Sequence, residues 1–175
     1  MRAGKRITGL VVVLLLSGWV VACAGGAPQA VTGAETSIIM VRHAERTEIT
    51  KVLTAKGHAR AQDLVKAVAD MNISAIYSPD LERNLDTVKP LAQHLGIDIT
   101  VTPAKSTPLV NQIVDEMLDK HAGKTILWVG NVDNLRKMYW RLGGNGEGPI
   151  EYGDLFIMKI TANAPVSIVK THFGM

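Results

Sequence analysis

The sequence has little cysteine, few aromatic residues and, beyond its first segment, no net charge. A single cysteine among 175 residues excludes an internal disulfide framework and a thiolate metal cluster. Residues 1–22 hold three of the 19 basic residues and none of the 16 acidic ones, so the remainder carries 16 of each. The isoelectric point near 9.1 therefore reflects the first segment, and a nucleic-acid partner is not expected.

What remains is typical of one folded domain. The chain is 47% apolar and 20% charged, a balance that argues against disorder. The 153 residues after position 22 are about one domain in length and are enough to bury a hydrophobic core. No internal repeat and no second domain is evident in this stretch.

The N-terminus has the pattern of a secretory signal peptide. A short positive region, Met1–Arg6, precedes an almost unbroken apolar run, Ile7–Val21. The run has about 15 residues, fewer than the roughly 20 that cross a bilayer as a helix. We therefore predict a cleaved signal over residues 1–22 in preference to a permanent membrane span.

The end of the apolar run, Val20-Val21-Ala22-Cys23, resembles a bacterial lipobox. This resemblance implies cleavage before Cys23 and lipidation of its sulfur, and so an exported protein anchored by lipid to a membrane of the bacterial cell envelope. An ordinary secreted protein with a stray cysteine is the alternative. Residues 23–35 lack apolar periodicity, which predicts a flexible tether ahead of a folded domain over residues 36–175.

Within that domain, short apolar runs alternate with amphipathic segments. Strands are predicted at residues 37–41, 75–77, 97–101, 124–130, 154–160 and 166–171. Helices are predicted between the first five strands, with Thr54, Ser78 and Asp133 among the residues that cap them. Trp128 and Trp140 are expected in the core. The pattern predicts a three-layer α/β sandwich whose mostly parallel sheet is flanked by helices and ends in an antiparallel hairpin.

Polar residues follow three of the predicted strands, at the sheet edge where ligands bind in such folds. The loops there contain Arg42-His43, the segment from Ser78 to Arg83, and Asn131. A guanidinium binds phosphate oxygens bidentately, and imidazole is a nucleophile near neutrality. An Arg-His pair alone is more often a polar surface pair. The histidine spacings do not match a metal site, so we expect no metal and no cofactor.

Three motifs occur in a fixed order along the chain. The first is a hydrophobic strand that ends in Arg-His-Ala-Glu, over Ile38–Glu45, and the second is Leu-Thr with a following glycine, over Leu53–Gly57. The third, Ile76–Ala92, contains Ile-Tyr-Ser, an arginine, a threonine and Pro-Leu-Ala. Together they resemble the histidine phosphatase family, the phosphoglycerate-mutase-like proteins, over about residues 37–160. The resemblance implies a phosphoglycerate-mutase-like fold.

The resemblance also implies a role for each matched residue. His43 would be the nucleophile that accepts the phosphoryl group as a phosphohistidine before water releases it. Arg42 and Arg83 would bind the phosphoryl oxygens and oppose the charge on them during transfer. The implied substrate is a small phosphorylated molecule, and no metal is implied.

One position departs from the family pattern. Family members carry a second histidine in a Val-Gly-His motif, whereas this chain has Val129-Gly130-Asn131. The amide of Asn131 can donate a hydrogen bond to a phosphoryl oxygen, but it cannot carry positive charge. Loss of one such electrostatic donor commonly costs roughly 100- to 1,000-fold in rate. The departure leaves open an impaired enzyme or a pseudoenzyme.

The proton donor has two candidates, Glu45 and Asp133. Asp133 lies one residue later than the aspartate of acid-phosphatase-like members and is better explained as a helix cap. Glu45 is equally explained by an ion pair with Arg46. Without a positioned acid, substrates with good leaving groups are favoured.

The leading hypothesis is an exported phosphatase-family protein that transfers a phosphoryl group through a phosphohistidine at His43 to water. Two alternatives use the same scaffold. One is a non-catalytic module that binds phosphorylated ligands through Arg42 and Arg83, and the other is an envelope interaction protein.

Overall fold

The computed structural model describes residues 33–103 and 107–175. The predicted signal peptide, the lipobox Cys23 and most of the predicted tether lie outside these residues. In the part of the chain that is described, no helix is both long enough and apolar enough to cross a membrane.

Strands and helices alternate until the last two strands, which follow each other directly. In chain order the elements are β1 (Thr36–Arg42), α1 (Ala55–Ala67), β2 (Ile73–Pro79), α2 (Glu82–Leu95), β3 (Ile99–Thr102), α3 (Thr107–Lys120), β4 (Thr125–Gly130), α4 (Val132–Arg141), β5 (Asp154–Ile160) and β6 (Ser167–His172). The strand order is β3-β2-β4-β1-β5-β6. The strands β1 to β4 pair in parallel, and β5 and β6 add an antiparallel edge, as the sequence predicts.

The central strand β1 is buried on both faces because each face packs against its own layer of helices. Ile38 and Met40 lie in one apolar cluster with residues of α3 and α4. Ile39 and Val41 lie in a second cluster with residues of α1 and α2. All four side chains are fully buried, which explains why the strand reads as a continuous apolar run. The carboxyl end of β1 is thereby held between the two helical layers.

One of the two tryptophans expected in the core is there. Trp128 on β4 is fully buried, and its burial confirms the expectation. Trp140 is 57% exposed, so the expectation for this residue is wrong. The buried face of α4 carries Leu135, Met138 and Tyr139, and Trp140 lies off that face, where its Nε1 donates to the Gly146 carbonyl oxygen at 2.9 Å.

Of the three helix caps named from the sequence, one is correct and two are wrong. Thr54 caps α1 as predicted, since its Oγ1 accepts a hydrogen bond from the Gly57 backbone N at 3.1 Å. Ser78 does not cap a helix, because it lies inside β2 and α2 begins at Glu82. Asp133 is not a cap either, because α4 begins one residue earlier, at Val132, and Asp133 lies in its first turn.

Candidate active site

The predicted site residues lie at the carboxyl ends of the central strands. Arg42 is the last residue of β1 and is the register partner of Gly130 at the end of β4. The backbone N of His43 donates to the Gly130 carbonyl oxygen at 3.0 Å, which extends the pairing by one step. Asn131 follows Gly130, and Arg83 lies in the first turn of α2. Sheet pairing therefore brings together residues that are up to 89 positions apart.

The His43 imidazole is held neutral with one nitrogen engaged. Its side chain is 3% exposed, and Nδ1 lies 2.8 Å from the Ala44 carbonyl oxygen. A carbonyl oxygen only accepts, so Nδ1 carries the proton and Nε2 keeps its lone pair. Burial, together with the positive charges of Arg83 and Arg42, lowers the pKa of His43 to about 4. The imidazole is therefore uncharged at neutral pH.

The loop that carries His43 is attached to α2 through a threonine. The Ala44 backbone N donates to Thr87 Oγ1 at 2.9 Å, and that hydroxyl donates to the Arg83 carbonyl oxygen at 2.7 Å. Thr87 is fully buried. The Thr87 side chain thus links the backbone next to His43 with the backbone of Arg83.

Each of the two predicted clamp arginines is fixed by a partner from another part of the chain. The Nη1 of Arg42 donates to the Ile150 carbonyl oxygen at 2.8 Å, and its guanidinium carbon lies 4.0 Å from the ring centre of Tyr152. The Nη2 of Arg83 donates to Asn131 Oδ1 at 2.8 Å. Burial lowers the pKa of Arg83, and the nearby Arg46 and Arg42 lower it further, but a guanidinium stays protonated at any ordinary pH.

A third arginine, which sequence reasoning did not single out as a site residue, adds to the positive charge of this region. Arg46 contributes to the lowered pKa of both His43 and Arg83. Its Nη1 donates to the Thr47 carbonyl oxygen at 3.1 Å and lies 3.5 Å from the highly exposed carboxylate of Glu48. The three arginines surround an uncharged histidine, an arrangement that attracts a multiply charged anion.

Asn131 has a double function at the start of α4. Its side-chain oxygen accepts from Arg83, and its backbone N donates to Asn134 Oδ1 at 2.8 Å. The position predicted to contact a phosphoryl group is therefore also the N-cap of the helix. The amide oxygen of Asn131 occupies one of the hydrogen-bond donors of the Arg83 guanidinium.

A cleft of about 340 Å³ opens beside the Arg83 and Asn131 pair. Its wall combines apolar side chains from the ends of β2 and α3 with charged groups from α4, among them Asp133 and Lys137. Asp133 is exposed to solvent on this cleft. The cleft is large enough for a small molecule and lies beside two of the predicted site residues.

Glu45 pairs with Arg60 and not with Arg46, the partner expected from the sequence. Its carboxylate accepts two hydrogen bonds from Arg60, at 2.9 and 2.8 Å, and lies 3.5 Å from Lys56 Nζ. Burial alone would raise the pKa of Glu45, but the Arg60 hydrogen bonds outweigh it and the pKa is lowered. The expected pairing with Arg46 is not the one formed.

Arg60 connects this carboxylate to the end of the chain. Its side chain is 4% exposed, and its Nη1 donates to the Phe173 carbonyl oxygen at 2.6 Å. The close approach of α1 depends on Gly57, where a Cβ atom would overlap the Glu45 carbonyl oxygen. No local sequence signal indicates this link, because its partners are more than 100 residues apart.

The described residues contain no group of three or more His, Cys, Asp or Glu side chains that could hold a metal ion. Of the other histidines of this part of the chain, His172 lies 3.8 Å from the Asp154 carboxylate. His58 and His94 are exposed on α1 and α2, and His121 Nε2 lies 3.1 Å from the Tyr77 hydroxyl.

Comparisons with known proteins bear on the family. Residues 38–104 match the sequence profile of the Histidine phosphatase superfamily (branch 1). A sequence search of curated proteins finds no match.

Solved structures share the fold at low sequence identity. The protein histidine phosphatase SixA complexed with tungstate has a TM-score of 0.67 and 11% identity, and covers 78% of this chain and 96% of its own. A phosphoglycerate mutase from Plasmodium falciparum has a TM-score of 0.57 and 16% identity, with 79% and 91% coverage. A mycobacterial glucosyl-3-phosphoglycerate phosphatase with inorganic phosphate has a TM-score of 0.60 and 10% identity, with 79% and 97% coverage.

These likenesses confirm the predicted phosphoglycerate-mutase-like α/β fold. The sequence match to the histidine phosphatase superfamily covers residues 38–104, and the solved structures show that the fold is shared.

Proposed function

We propose that this protein is a phosphatase that transfers a phosphoryl group from a small phosphorylated molecule through His43 to water. The observation that carries the proposal is a buried imidazole with a free Nε2 and a pKa near 4, placed among arginines at the sheet edge. A neutral nucleophile beside fixed positive charges is the combination that phosphoryl transfer to nitrogen requires.

The proposed reaction has two steps. In the first, Nε2 of His43 forms a bond to phosphorus while the bond from phosphorus to the leaving oxygen breaks. In the second, a water oxygen forms a bond to phosphorus while the bond from phosphorus to Nε2 breaks. The water loses a proton to solvent, inorganic phosphate is released, and neutral His43 is restored. Arg42 and Arg83 oppose the negative charge on the transferred oxygens in both steps. The SixA structure contains tungstate and the mycobacterial phosphatase structure contains phosphate, which supports a tetrahedral anion as ligand.

The leaving group must receive a proton or leave as a stable anion. Of the two candidate donors, Glu45 is kept ionised by Arg60, whereas Asp133 lies on the cleft beside Arg83. Asp133 is exposed and is therefore a weakly oriented acid. We propose that good leaving groups are turned over much faster than simple alkyl phosphates.

A direct test uses a chromogenic aryl phosphate and acetyl phosphate as donors, with glycerol phosphate as the poor-leaving-group comparison. Release of phosphate from the first two at a rate well above the third supports the proposal. Equal rates on all three would show that a proton donor is well placed after all. No release from any donor would exclude a phosphatase of this kind.

The pH dependence provides an independent prediction. Because the folded-state pKa of His43 is near 4 instead of the ordinary 6.5, its imidazole stays neutral as the pH falls from 7 to 5. We expect kcat/KM, corrected for the titration of the donor itself, to decline only as the pH approaches about 4. Inorganic phosphate should raise the pKa of His43, since a bound anion stabilises the imidazolium.

Nuclear magnetic resonance titration of the His43 ring protons, with and without phosphate, measures both values. If kcat/KM declined near pH 6.5 and the His43 ring protons titrated at the same pH, the pKa of His43 would be ordinary. That result would contradict the described burial. A ring titration near pH 4 that phosphate leaves unmoved would place the anion elsewhere.

A non-catalytic phosphoryl-binding module is a second candidate, and the hydrogen bond from Arg83 to Asn131 favours it. That bond occupies one of the clamp's donors with a neutral amide, at the position where the family carries a histidine. Calorimetric titration with phosphate and tungstate separates the two candidates. Binding without turnover of any donor would support the module, and binding of neither anion would favour an interaction protein on the same scaffold.

We further propose that the protein is exported and lipid-anchored through Cys23, since residues 1–23 combine a positive start, an apolar run and a lipobox-like end. Replacement of Cys23 with serine is expected to move the protein from the membrane fraction of a bacterial host to the soluble fraction. Full-length protein without the replacement is the control. Unchanged membrane fractionation of Cys23→Ser would contradict the lipid anchor.

A further inference from the structure

The segment between α4 and β5 contacts the Arg42 guanidinium through both a backbone carbonyl oxygen and an aromatic ring. The Ile150 carbonyl oxygen accepts from Nη1 of Arg42 at 2.8 Å. Tyr152 covers its face, with the guanidinium carbon 4.0 Å from the ring centre. The same ring meets the His43 imidazole edge-on, with centroids 5.8 Å apart and an interplanar angle of 63°. Tyr152 therefore contacts both the proposed nucleophile and the adjacent clamp arginine.

This segment is itself fixed in place. The Glu151 backbone N donates to Asp154 Oδ2 at 3.0 Å, which closes a turn around Tyr152. Gly153 has a φ of 92°, and a Cβ atom there would overlap Nη1 of Arg60. Because Arg60 is bound to Glu45, the turn cannot move toward α1 without disturbing the loop that follows His43.

The stacked ring limits what the Arg42 side chain can do. A free arginine samples many rotamers, and ordering its guanidinium on each binding event costs conformational entropy. With one edge bound to a carbonyl oxygen and one face on an aromatic ring, the guanidinium plane is set before an anion arrives. Stacking on a tyrosine face stabilises a guanidinium, and the effect is larger when water is excluded. Pre-oriented donors are the ones that stabilise developing charge best.

We propose that Tyr152 is a positioning residue for phosphoryl transfer. Its ring holds the Arg42 guanidinium in a fixed orientation beside the His43 imidazole. Its kinetic consequence rests on the proposed function, whereas the placement of the guanidinium can be measured without turnover. The ring, and not the hydroxyl, makes the contacts with Arg42 and His43, so phenylalanine is expected to replace it.

The test compares Tyr152→Phe and Tyr152→Leu in the full protein, with Trp140→Leu as a control that removes an exposed aromatic side chain on α4. The first readout is the Arg42 side-chain resonances, which an aromatic face shifts upfield. We expect Tyr152→Phe to keep these shifts and Tyr152→Leu to lose them. A change in Trp140→Leu as large as that in Tyr152→Leu would contradict a specific contact.

The second readout is affinity for inorganic phosphate together with kcat and KM for an aryl phosphate. Tyr152→Leu is expected to weaken phosphate binding and kcat/KM by about 3- to 30-fold, the equivalent of one stacking contact, with Tyr152→Phe within about twofold of wild type. Equal losses in both variants would overturn the proposal in favour of a role for the hydroxyl. Thermal unfolding identifies a variant that does not fold, in which case Tyr152→Met takes the place of leucine.

The two readouts distinguish failure of this inference from failure of the proposed function. If the wild-type protein neither binds phosphate nor turns over a donor, the proposed function fails, and the Arg42 resonances still decide where the guanidinium lies. If the wild-type protein is active and Tyr152→Leu changes neither readout, the positioning role is wrong and the phosphatase proposal stands.

Discussion

Replacement of His43 with alanine is expected to reduce turnover of an aryl phosphate by roughly 1,000-fold or more, because it removes the proposed nucleophile. The backbone hydrogen bond from residue 43 to the Gly130 carbonyl oxygen does not involve the side chain, so the loop should keep its path. Arg42 and Arg83 remain, and phosphate binding should persist. Loss of turnover with retained anion binding is therefore the expected result.

Two further measurements make this prediction specific. Brief incubation of the wild-type protein with a labelled donor, followed by denaturation, should leave an acid-labile phosphoryl group on His43 and none in His43→Ala. His58→Ala is a matched control, since that histidine is exposed on α1, and it should behave as wild type. Turnover that survives in His43→Ala would show that the protein hydrolyses phosphates by another route.

The alternation of strands and helices could be predicted because it depends on local sequence patterns. The wrongly predicted helix starts show where contacts with distant residues outweigh those patterns. Ser78-Pro79 has the form of a helix start, yet both residues lie in β2. Pro79 is the register partner of Thr102 on β3, and the Asp80 backbone N donates to the Thr102 carbonyl oxygen at 3.0 Å. A strand 20 residues away thus keeps the segment extended and delays the helix to Glu82.

The start of α4 shows a similar limit at shorter range. Asn131 and Asp133 are both good capping residues, and the sequence alone does not choose between them. The side chain of Asn134 decides the matter by accepting a hydrogen bond from the Asn131 backbone N at 2.8 Å. The helix therefore begins at Val132, and the candidate proton donor Asp133 lies in its first turn.

In the site, the residues that belong to sequence motifs could be predicted. The residues that hold them in place could not. His43, Arg42 and Arg83 occupy short motifs that follow strands, so their convergence at one sheet edge follows from a parallel sheet. Tyr152 and Arg60 have no such signal. Tyr152 meets Arg42 from 110 positions away, and such a contact depends on how the α4–β5 connection folds back over the sheet. Connections of this kind determine how the site side chains are oriented, and no local sequence pattern indicates that orientation.

Replacement of Asn131 with histidine is expected to raise kcat/KM for an aryl phosphate on the order of 100-fold, because it adds a group that can carry positive charge beside the transferred phosphoryl. The geometry permits the change in part. Asn131 Oδ1 accepts from Nη2 of Arg83 at 2.8 Å, and a neutral imidazole nitrogen can accept the same hydrogen bond, while a protonated one cannot. The gain over wild type should therefore grow as the pH falls and the new imidazole becomes charged.

Asn131→Gln is the matched control, since it keeps an amide and adds no charge, and it should give no gain. Phosphate affinity measured alongside the rate tells two kinds of failure apart. If Asn131→His binds phosphate as tightly as wild type but turns over no faster, the barrier lies elsewhere, and the weakly oriented Asp133 is the first group to examine. If it binds phosphate less tightly, the Asn131 amide is needed to hold Arg83. In that case the role of Asn131 is to orient the Arg83 guanidinium.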